Sequence, residues 1–460
     1  MHLPLRDRVE WSKIKTLFHD SFFFIYSRFF MKVTKVGLIG FGIVGTGVVR
    51  LLLTQKERIS RQCGQEVRLV KIVDTCLDRK RDVIVPEGML TDDYRQILDD
   101  PEISVVVQLI GGTDAERDIM LRMLRAGKNI VTANKALLAT HGEEIFRTAR
   151  ENGVSVAFEA AVAGGIPIIA AISESLAANE IRSIRAILNG TCNFILSRME
   201  KEGSDYASAL AEAQRLGYAE LNPALDVEGK DATQKIAILS QIAFGARVDW
   251  TRILREGITQ VSAEDFHHAK SRGYTVRLIA EARRMKNQTV AISVGPAWVK
   301  CGTQLAAVDG AYNAVSVEGD AVGHLFFYGP GAGEMPTASA VVADIIDTIL
   351  GRTAITFRAL NLWNENAVCE TKLAGAEDIR GEYYLRFPGA KMEAEKDVYE
   401  ILAKHGISVT TFAESRETPE KGDFSLLTEE ISEAALSAAL ETLVETGVVP
   451  EKPVKMRILK

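Results

Sequence analysis

The chain has 460 residues, 47% hydrophobic and 25% charged, ordinary values for a globular protein with room for several domains. A net charge of -6 argues against a general electrostatic pull toward nucleic acid or anionic membrane. Five scattered cysteines (Cys63, Cys76, Cys192, Cys301, Cys369) with no CxxC pair argue against a disulfide frame or zinc site, and fit reduced thiols in the cytoplasm.

Residues 1–31 are basic and aromatic, with the run Phe22-Phe23-Phe24-Ile25-Tyr26. The run is too short to span a membrane, and no small-residue cleavage site follows it. Met31 stands directly before the first strand, so residues 1–31 are expected to lie outside the folded body, with Met31 as the start.

Lys35 to Gly45 then reads as an apolar strand entering Gly40-Phe41-Gly42-Ile43-Val44-Gly45, a G-x-G-x-x-G turn followed by a helical pattern. In that context each glycine has a task. One makes the turn, one admits a pyrophosphate and one lets the helix pack on the sheet. Orphan amides at the helix start face the anion. A second strand ends at Asp74, where a carboxylate would bind the ribose 2′-hydroxyl of NAD and repel the 2′-phosphate of NADP. Arg79, Lys80 and Arg81 follow closely and could hold that phosphate instead, so the choice of NAD or NADP stays open.

Further strands and helices to about residue 152 keep the rhythm of a doubly wound parallel sheet, whose ligands sit beyond the carboxyl ends of the strands. Thr113 and Ala133-Asn134-Lys135 fall at such ends. Lys135 could equally be a solvated surface lysine. From Val154 the texture changes to a strand, a Gly164-Gly165 turn with Pro167, then a strand ending in Asn189-Gly190-Thr191. Free amides and a hydroxyl there could take a carboxylate.

The segment Leu216 to Lys235, LGYAELNPALDVEGKDATQK, gathers Glu220, Asp226, Glu228, Asp231 and Lys235. Asp231 and Lys235 share one helical face. An isolated pair of this kind is usually a solvated surface contact. The apolar run after Lys235 favours a polar pocket instead, one able to bind an ammonium group and deliver a proton.

Together FEAAVAGGIPI, LNGTCNFIL, LGYAELNPALDVEGKDATQK, GFGIVG, TANK and YGPGAGEMPTASAVVADI resemble the homoserine dehydrogenase family, over roughly residues 32–350. The resemblance implies an α/β protein. A Rossmann-type NAD(P)-binding domain (32–152) precedes a mixed α/β catalytic and dimerisation domain (153–350) whose last part returns to the first. It implies reversible reduction of L-aspartate 4-semialdehyde to L-homoserine, in threonine, methionine and isoleucine biosynthesis, by a homodimer or homotetramer.

Lys235 resembles the family's proton donor, with Asp231 beside it and Lys135 near the nicotinamide. Glu220 and Asp226 resemble the ammonium pair, and Gly190 with Thr191 the carboxylate contact. Gly217 and Gly333 match backbone positions near the cofactor. The carbonyls of Glu159, Val162, Gly164 and Ile166 match a sodium (Na+) site. Cys192 and Asn222 depart from the family pattern, without touching the implied chemistry.

Residues 351–380 read as a polar connector. From Gly381 to Lys460 the order βαββαβ is that of a ferredoxin-like unit and resembles an ACT domain, a module that senses amino acids, here most simply L-threonine. Removing that module is expected to leave turnover intact. The alternative is a catalytically inactive amino-acid sensor on the same scaffold. Loss of the nucleotide glycines or of Lys235 would favour it, and all are present.

Overall fold

The computed structural model describes residues 32–363, 371–390, 392–414 and 424–460. The expected N-terminal extension, residues 1–31, lies outside the described residues. The first domain is built from β1 (Val33–Ile39), α1 (Ile43–Thr54), β2 (Glu66–Val73), β3 (Leu90–Thr91), β4 (Ile103–Gln108), α2 (Ala115–Arg125), β5 (Asn129–Thr132), α3 (Lys135–Glu151) and β6 (Val156–Ala157). Its strands are parallel, in the order β3-β2-β1-β4-β5-β6. Near-continuous burial of Val36, Leu38, Val105, Val106 and Val107 is what helices on both faces of such a sheet require. The order reverses between β1 and β4, so a crevice opens beyond their carboxyl ends.

The second domain contributes β7 (Ile181–Ile187), α4 (Gly190–Glu202), α5 (Tyr206–Arg215), α6 (Lys230–Phe244), β8 (Leu254–Arg255), α7 (Ala263–Ser271), β9 (Tyr274–Arg284), β10 (Val290–Lys300), β11 (Tyr312–Gly319), β12 (Gly323–Pro330) and α8 (Glu334–Ile349). α8 packs back on α1. A Cβ on Gly47 would stand 2.9 Å from both the Ala338 Cβ and the Glu334 carbonyl oxygen, so glycine sets how closely these helices approach. Arg50 pairs with Glu334 across the same contact. The segment 351–380 is more than a polar connector. Arg352–Leu360 is helical, and Phe357 stacks on Phe146 at 5.2 Å. The backbone of Lys372 and Ala374 bonds to that of Val290.

The C-terminal unit consists of β13 (Arg380–Gly381), β14 (Tyr383–Phe387), α9 (Glu395–Lys404), β15 (Val409–Glu414), β16 (Phe424–Thr428), β17 (Ile431–Ser432), α10 (Glu433–Glu445) and β18 (Val454–Leu459). Its four long strands follow the ferredoxin-like order β18-β14-β16-β15, and β18 pairs in parallel with β10. Second-domain and C-terminal strands thus form one ten-stranded sheet, β12-β11-β7-β9-β10-β18-β14-β16-β15, with β8 beside β10. Alternation along β14 serves both bodies. Tyr383, Leu385 and Phe387 face the unit's own helices, while Tyr384 stacks on Trp298 of β10 at 4.6 Å.

One buried ion pair fastens the joint. Asp265 of α7 is fully buried and accepts hydrogen bonds from Arg386 Nε at 2.7 Å and from the Tyr384 hydroxyl at 2.9 Å. Arg386 also donates to the Gln260 carbonyl at 2.7 Å. Removing the unit would strip partners from Asp265 and bare an edge of β10. The shared sheet therefore replaces the expectation of a detachable module. Arg386→Met should cost about 3–5 kcal/mol by leaving a buried carboxylate without its cation. Urea denaturation reads this as a lower midpoint, and an unchanged midpoint would show that the joint does not depend on the pair.

Candidate active site

At the glycine turn, Gly40 takes φ 101. A Cβ there would stand 2.8 Å from the backbone of Leu109 at the end of β4, and one on Gly45 only 2.1 Å from the Gly40 carbonyl oxygen. These two glycines close the turn and dock α1. Gly42 differs, since the nearest atom to a Cβ there is Arg79 Nη1 at 4.0 Å. Open space over Gly42, and a first turn of α1 without a side-chain cap, leave backbone amides at Ile43, Val44 and Gly45 for an anion. A dinucleotide pyrophosphate fits this turn.

Asp74 sits at the end of β2 as expected, but both its oxygens are engaged within the protein. They accept the Phe41 and Cys76 amides, each at 2.7 Å, and Arg81 Nη2 lies 3.4 Å away. Arg81 Nε also donates to the Phe41 carbonyl at 2.8 Å, with its guanidinium 4.4 Å from the centre of the Phe41 ring. Asp74 and Arg81 form a clamp on the glycine turn, a role its position in the sequence does not reveal.

Across the crevice lies the polar cluster. Asp231, in the first turn of α6, is 7% exposed. It accepts from Lys235 Nζ at 2.8 Å and faces Lys135 Nζ at 3.1 Å. Lys235 Nζ donates as well to the Leu188 carbonyl at 2.8 Å. Lys135 opens α3 of the nucleotide domain. The preceding Asn134 caps that helix through the Leu137 amide, and its side chain donates to the Ile110 and Gly112 carbonyls at 3.0 and 2.8 Å. Lys135 is thereby fixed to the cofactor crevice, not solvated at random. One carboxylate ties the two domains together.

Asn189 joins the remaining pieces. Its Oδ1 accepts the Cys192 amide at 2.8 Å as the cap of α4, which orients the amide. Its Nδ2 then donates to Asp226 at 2.7 Å and to Asp231 at 2.9 Å. Burial alone would lift the Asp231 carboxyl, but the charges of Lys235 and Lys135 and the bonds from Lys235 and Asn189 hold it at about 2. The charge of Asp231 raises Lys135 against the opposing effect of burial. Asp226 is raised, first by burial and then by Asp231, with Asn189 opposing. A half-buried carboxylate in this state gains from a cation brought beside it.

The other expected residues are placed as follows. Glu220 is exposed, and its charge adds to the raising of Lys135. The Thr191 hydroxyl donates to the Tyr218 carbonyl at 2.7 Å. Gly190 has no room for a Cβ, 2.6 Å from the Ala311 carbonyl oxygen. Gly217 turns the chain after α5 at φ 79, and Gly333 leads into α8 at φ 123. Thr113 is half-buried in the loop between β4 and α2.

Glu159, Val162, Gly164 and Ile166 are all buried in one loop, bent by Ala163 and Gly164 at φ 56 and 42. The Ile166 and Glu159 carbonyls each accept one amide, at 2.8 and 3.5 Å, which leaves a second lone pair on each. Cys192 stands nearer the site than its sequence position suggests. Its buried thiol donates to the Asp226 carbonyl at 3.2 Å, and burial pushes it well above the usual thiol range. Sequence reasoning noted the Asn189-Gly190-Thr191 turn but assigned no role to Asn189 or Asn134. The usable signal was an Asn directly before a helical pattern.

Comparison with known proteins bears on the same residues. Family models described as homoserine dehydrogenase, NAD binding domain, and homoserine dehydrogenase match residues 40–159 and 167–346. The homoserine dehydrogenase of Bacillus subtilis is 37% identical over 431 residues, covering 92% of this chain and 97% of that one. A crystal structure of a homoserine dehydrogenase from Thiobacillus denitrificans superimposes with TM-score 0.85 at 40% identity, covering 94% of this chain and all of the other.

The chain belongs to the homoserine dehydrogenase family. It is an NAD(P)-dependent oxidoreductase. A hyperthermophilic archaeal homoserine dehydrogenase mutant, solved in complex with NADPH, shares the fold at TM-score 0.58 and 26% identity, over 69% of this chain and 98% of its own. Among the described residues of this dehydrogenase, no helix is long and apolar enough to cross a membrane.

Asn189→Ala removes two N–H donors from between buried Asp231 and half-buried Asp226. The expected cost is about 1–3 kcal/mol in stability and at least tenfold in kcat/KM. Because Asn189 opposes the upward shift of Asp226, its loss should move the acidic limb of the kcat/KM profile to higher pH. An unmoved limb would show that Asp226 does not depend on Asn189.

Proposed function

We propose that this dehydrogenase interconverts L-aspartate 4-semialdehyde and L-homoserine, with Lys235 supplying the proton to the oxygen that becomes the alcohol. The observation that carries this reading is the Asp231 carboxylate held between Lys235 at 2.8 Å and Lys135 at 3.1 Å, at the crevice beyond the glycine turn. NAD(P)H, when bound, supplies the hydride. Asp231 orients Lys235 and keeps it beside the developing alkoxide. In the oxidative direction the unprotonated amine takes the hydroxyl proton. Such assistance is typically worth about 10²–10⁴-fold.

Asp226, together with the exposed Glu220, receives the substrate ammonium. Gly190 and Thr191, at the start of α4, take the substrate carboxylate where the helix dipole favours an anion. Na+ at the carbonyls of Glu159, Val162, Gly164 and Ile166 would brace the loop between the domains. Replacing NaCl by choline chloride should then lower the melting temperature, and no change would count against the ion. The C-terminal unit acts as an ACT-type sensor of an amino acid, L-threonine first. Its ferredoxin-like strand order supports this, as does the place of threonine downstream of homoserine.

Following nicotinamide absorbance with L-homoserine and each cofactor in turn tests the reaction. Lys235→Ala should lower kcat by several orders of magnitude while cofactor still binds. A loss of tenfold or less, about 1.4 kcal/mol in the barrier, would remove Lys235 from the proton step. For the cofactor, Asp74 is occupied and Arg79 overhangs Gly42, so we propose that the site accepts NADP at least as well as NAD. Arg79→Ala should raise KM for NADP and leave KM for NAD near its starting value. Equal effects on both would mean that Arg79 does not read the 2′-phosphate.

A further inference from the structure

A protonated lysine has three N–H groups to place. On Lys235, Asp231 takes one and the Leu188 carbonyl takes another, each at 2.8 Å. The third has no acceptor among the described residues, and is the one left for a substrate oxygen. Two bonds at one nitrogen fix the direction of the third. Asp231 is itself held, by Lys135 and Asn189. The restraint on the Leu188 carbonyl comes from a different element.

The β7–β11 ladder ends with Ala314 opposite Ile187. One step beyond it, the Leu188 carbonyl accepts from Asn313 Nδ2 at 3.1 Å as well as from Lys235. A carbonyl oxygen has two lone pairs, so these two donors complete it. Asn313 is 1% exposed, too deep to touch substrate. Its amide is also closely boxed. A Cβ on Gly331, in the loop between β12 and α8, would stand 2.0 Å from Asn313 Cγ and 2.2 Å from Nδ2. Glycine there leaves the amide its room. On the other side, Asn193 of α4 donates to the Gly310 carbonyl at 2.8 Å, and Gly190 lies against the Ala311 carbonyl. The segment entering β11 is thus tied to the turn that carries Leu188.

A space-filling role at this position would favour an apolar side chain of similar size. Asparagine instead leaves its Oδ1 buried without a donor. Turning the amide over would set that oxygen against the Leu188 carbonyl oxygen. An orphan acceptor in the interior is costly and calls for a reason. Here it accompanies the N–H that holds the second acceptor of Lys235.

We infer that Asn313 is a positioning residue for the proton step: by fixing the Leu188 carbonyl, it aims the third Lys235 N–H at the substrate oxygen. This rests on the reading of Lys235 as the proton donor. Asn313 bonds neither substrate nor cofactor, so its loss should act on kcat and spare KM.

Steady-state kinetics of the full-length enzyme test this with two substitutions. Asn313→Ala removes the donor, and Gly331→Ala keeps the asparagine but pushes its amide off the carbonyl. In each, kcat should fall about 10- to 100-fold, the scale of a misplacement of about 1 Å. KM for homoserine and for NADP should stay within about twofold. The double variant Asn313→Ala, Gly331→Ala has no amide for the new Cβ to strike, and should be no slower than Asn313→Ala alone. In a Lys235→Ala background, read at high enzyme concentration, Asn313→Ala should cost a further twofold at most, because the group it aims is gone. Should Asn313→Ala not fold, Gly331→Ala with and without Lys235 makes the same comparison.

Asn313 loses this role if kcat stays within about threefold of wild type in both single variants. It loses it equally if KM carries the whole effect, or if the loss in kcat is the same with and without Lys235. Those results leave the proton donor standing, provided Lys235→Ala alone is several orders of magnitude slower. A Lys235→Ala enzyme within tenfold of wild type removes the donor, and the role of Asn313 with it.

Discussion

A buried carboxylate between two lysines is the constraint on which this molecule turns. Asp231 is almost wholly out of water, where an isolated anion is costly, and it stays ionised because Lys235 and Lys135 flank it. Its two cations come from different domains. One rises from the same helix a turn later, and the other opens the helix after β5 of the nucleotide fold. The relative placement of the two domains therefore depends on the ion pair that also orients Lys235. Asn189 extends this economy, since one side chain caps α4 and bridges Asp226 to Asp231. Every group in the cluster has a partner before substrate arrives, and such preorganisation lowers the cost of arranging charge during the reaction.

The second constraint is the continuous sheet. A C-terminal unit on a flexible tether could move without consequence. Here β18 lies directly on β10, and Arg386 pairs with a fully buried Asp265. Movement of the unit must be accommodated by the catalytic domain, at the sheet or at the segment wedged behind the active-site turn. That segment, residues 255–258, is held on one side by the paired lysines at Glu256 and on the other by the Val227 carbonyl.

Much of this was legible from residue order. The glycine turn could be read because each glycine answers a separate steric demand, and the close approaches at Gly40 and Gly45 match two of them. The alternation and helix periodicity after Gly381 carried the ferredoxin-like order, since each element is short and sharply bounded by turns. Asp231 and Lys235 were visible as an i,i+4 pair. Their partner Lys135, almost a hundred residues away, could be placed only by resemblance.

What stayed hidden was long-range. Asp74 looked free at a strand end, and nothing local shows that the Phe41 and Cys76 amides take both its oxygens. The helix at Arg352–Leu360 was lost in a polar stretch, because only Phe357 of that helix is buried. The sharing of one sheet by two units was equally invisible, since β-strand pairing between residues as distant as Trp298 and Ile458 leaves no local signature beyond a strand buried on both faces.

These hidden contacts have a common physical character. Each joins residues that lie in different elements, so it depends on the completed fold. For Asp74 the consequence is chemical. Its oxygens hold the Phe41 amide and the Arg81 guanidinium, and the same guanidinium covers the Phe41 ring at 4.4 Å. The pair stiffens the turn that receives the pyrophosphate. Neutralisation by Arg81 also weakens the repulsion that a strand-end carboxylate would exert on a 2′-phosphate. A strand-end acid is therefore weak evidence for NAD when an arginine seven residues on is folded back against it. The cofactor preference then falls to the charges still free on the loop, among which Arg79 lies nearest to the open face of Gly42.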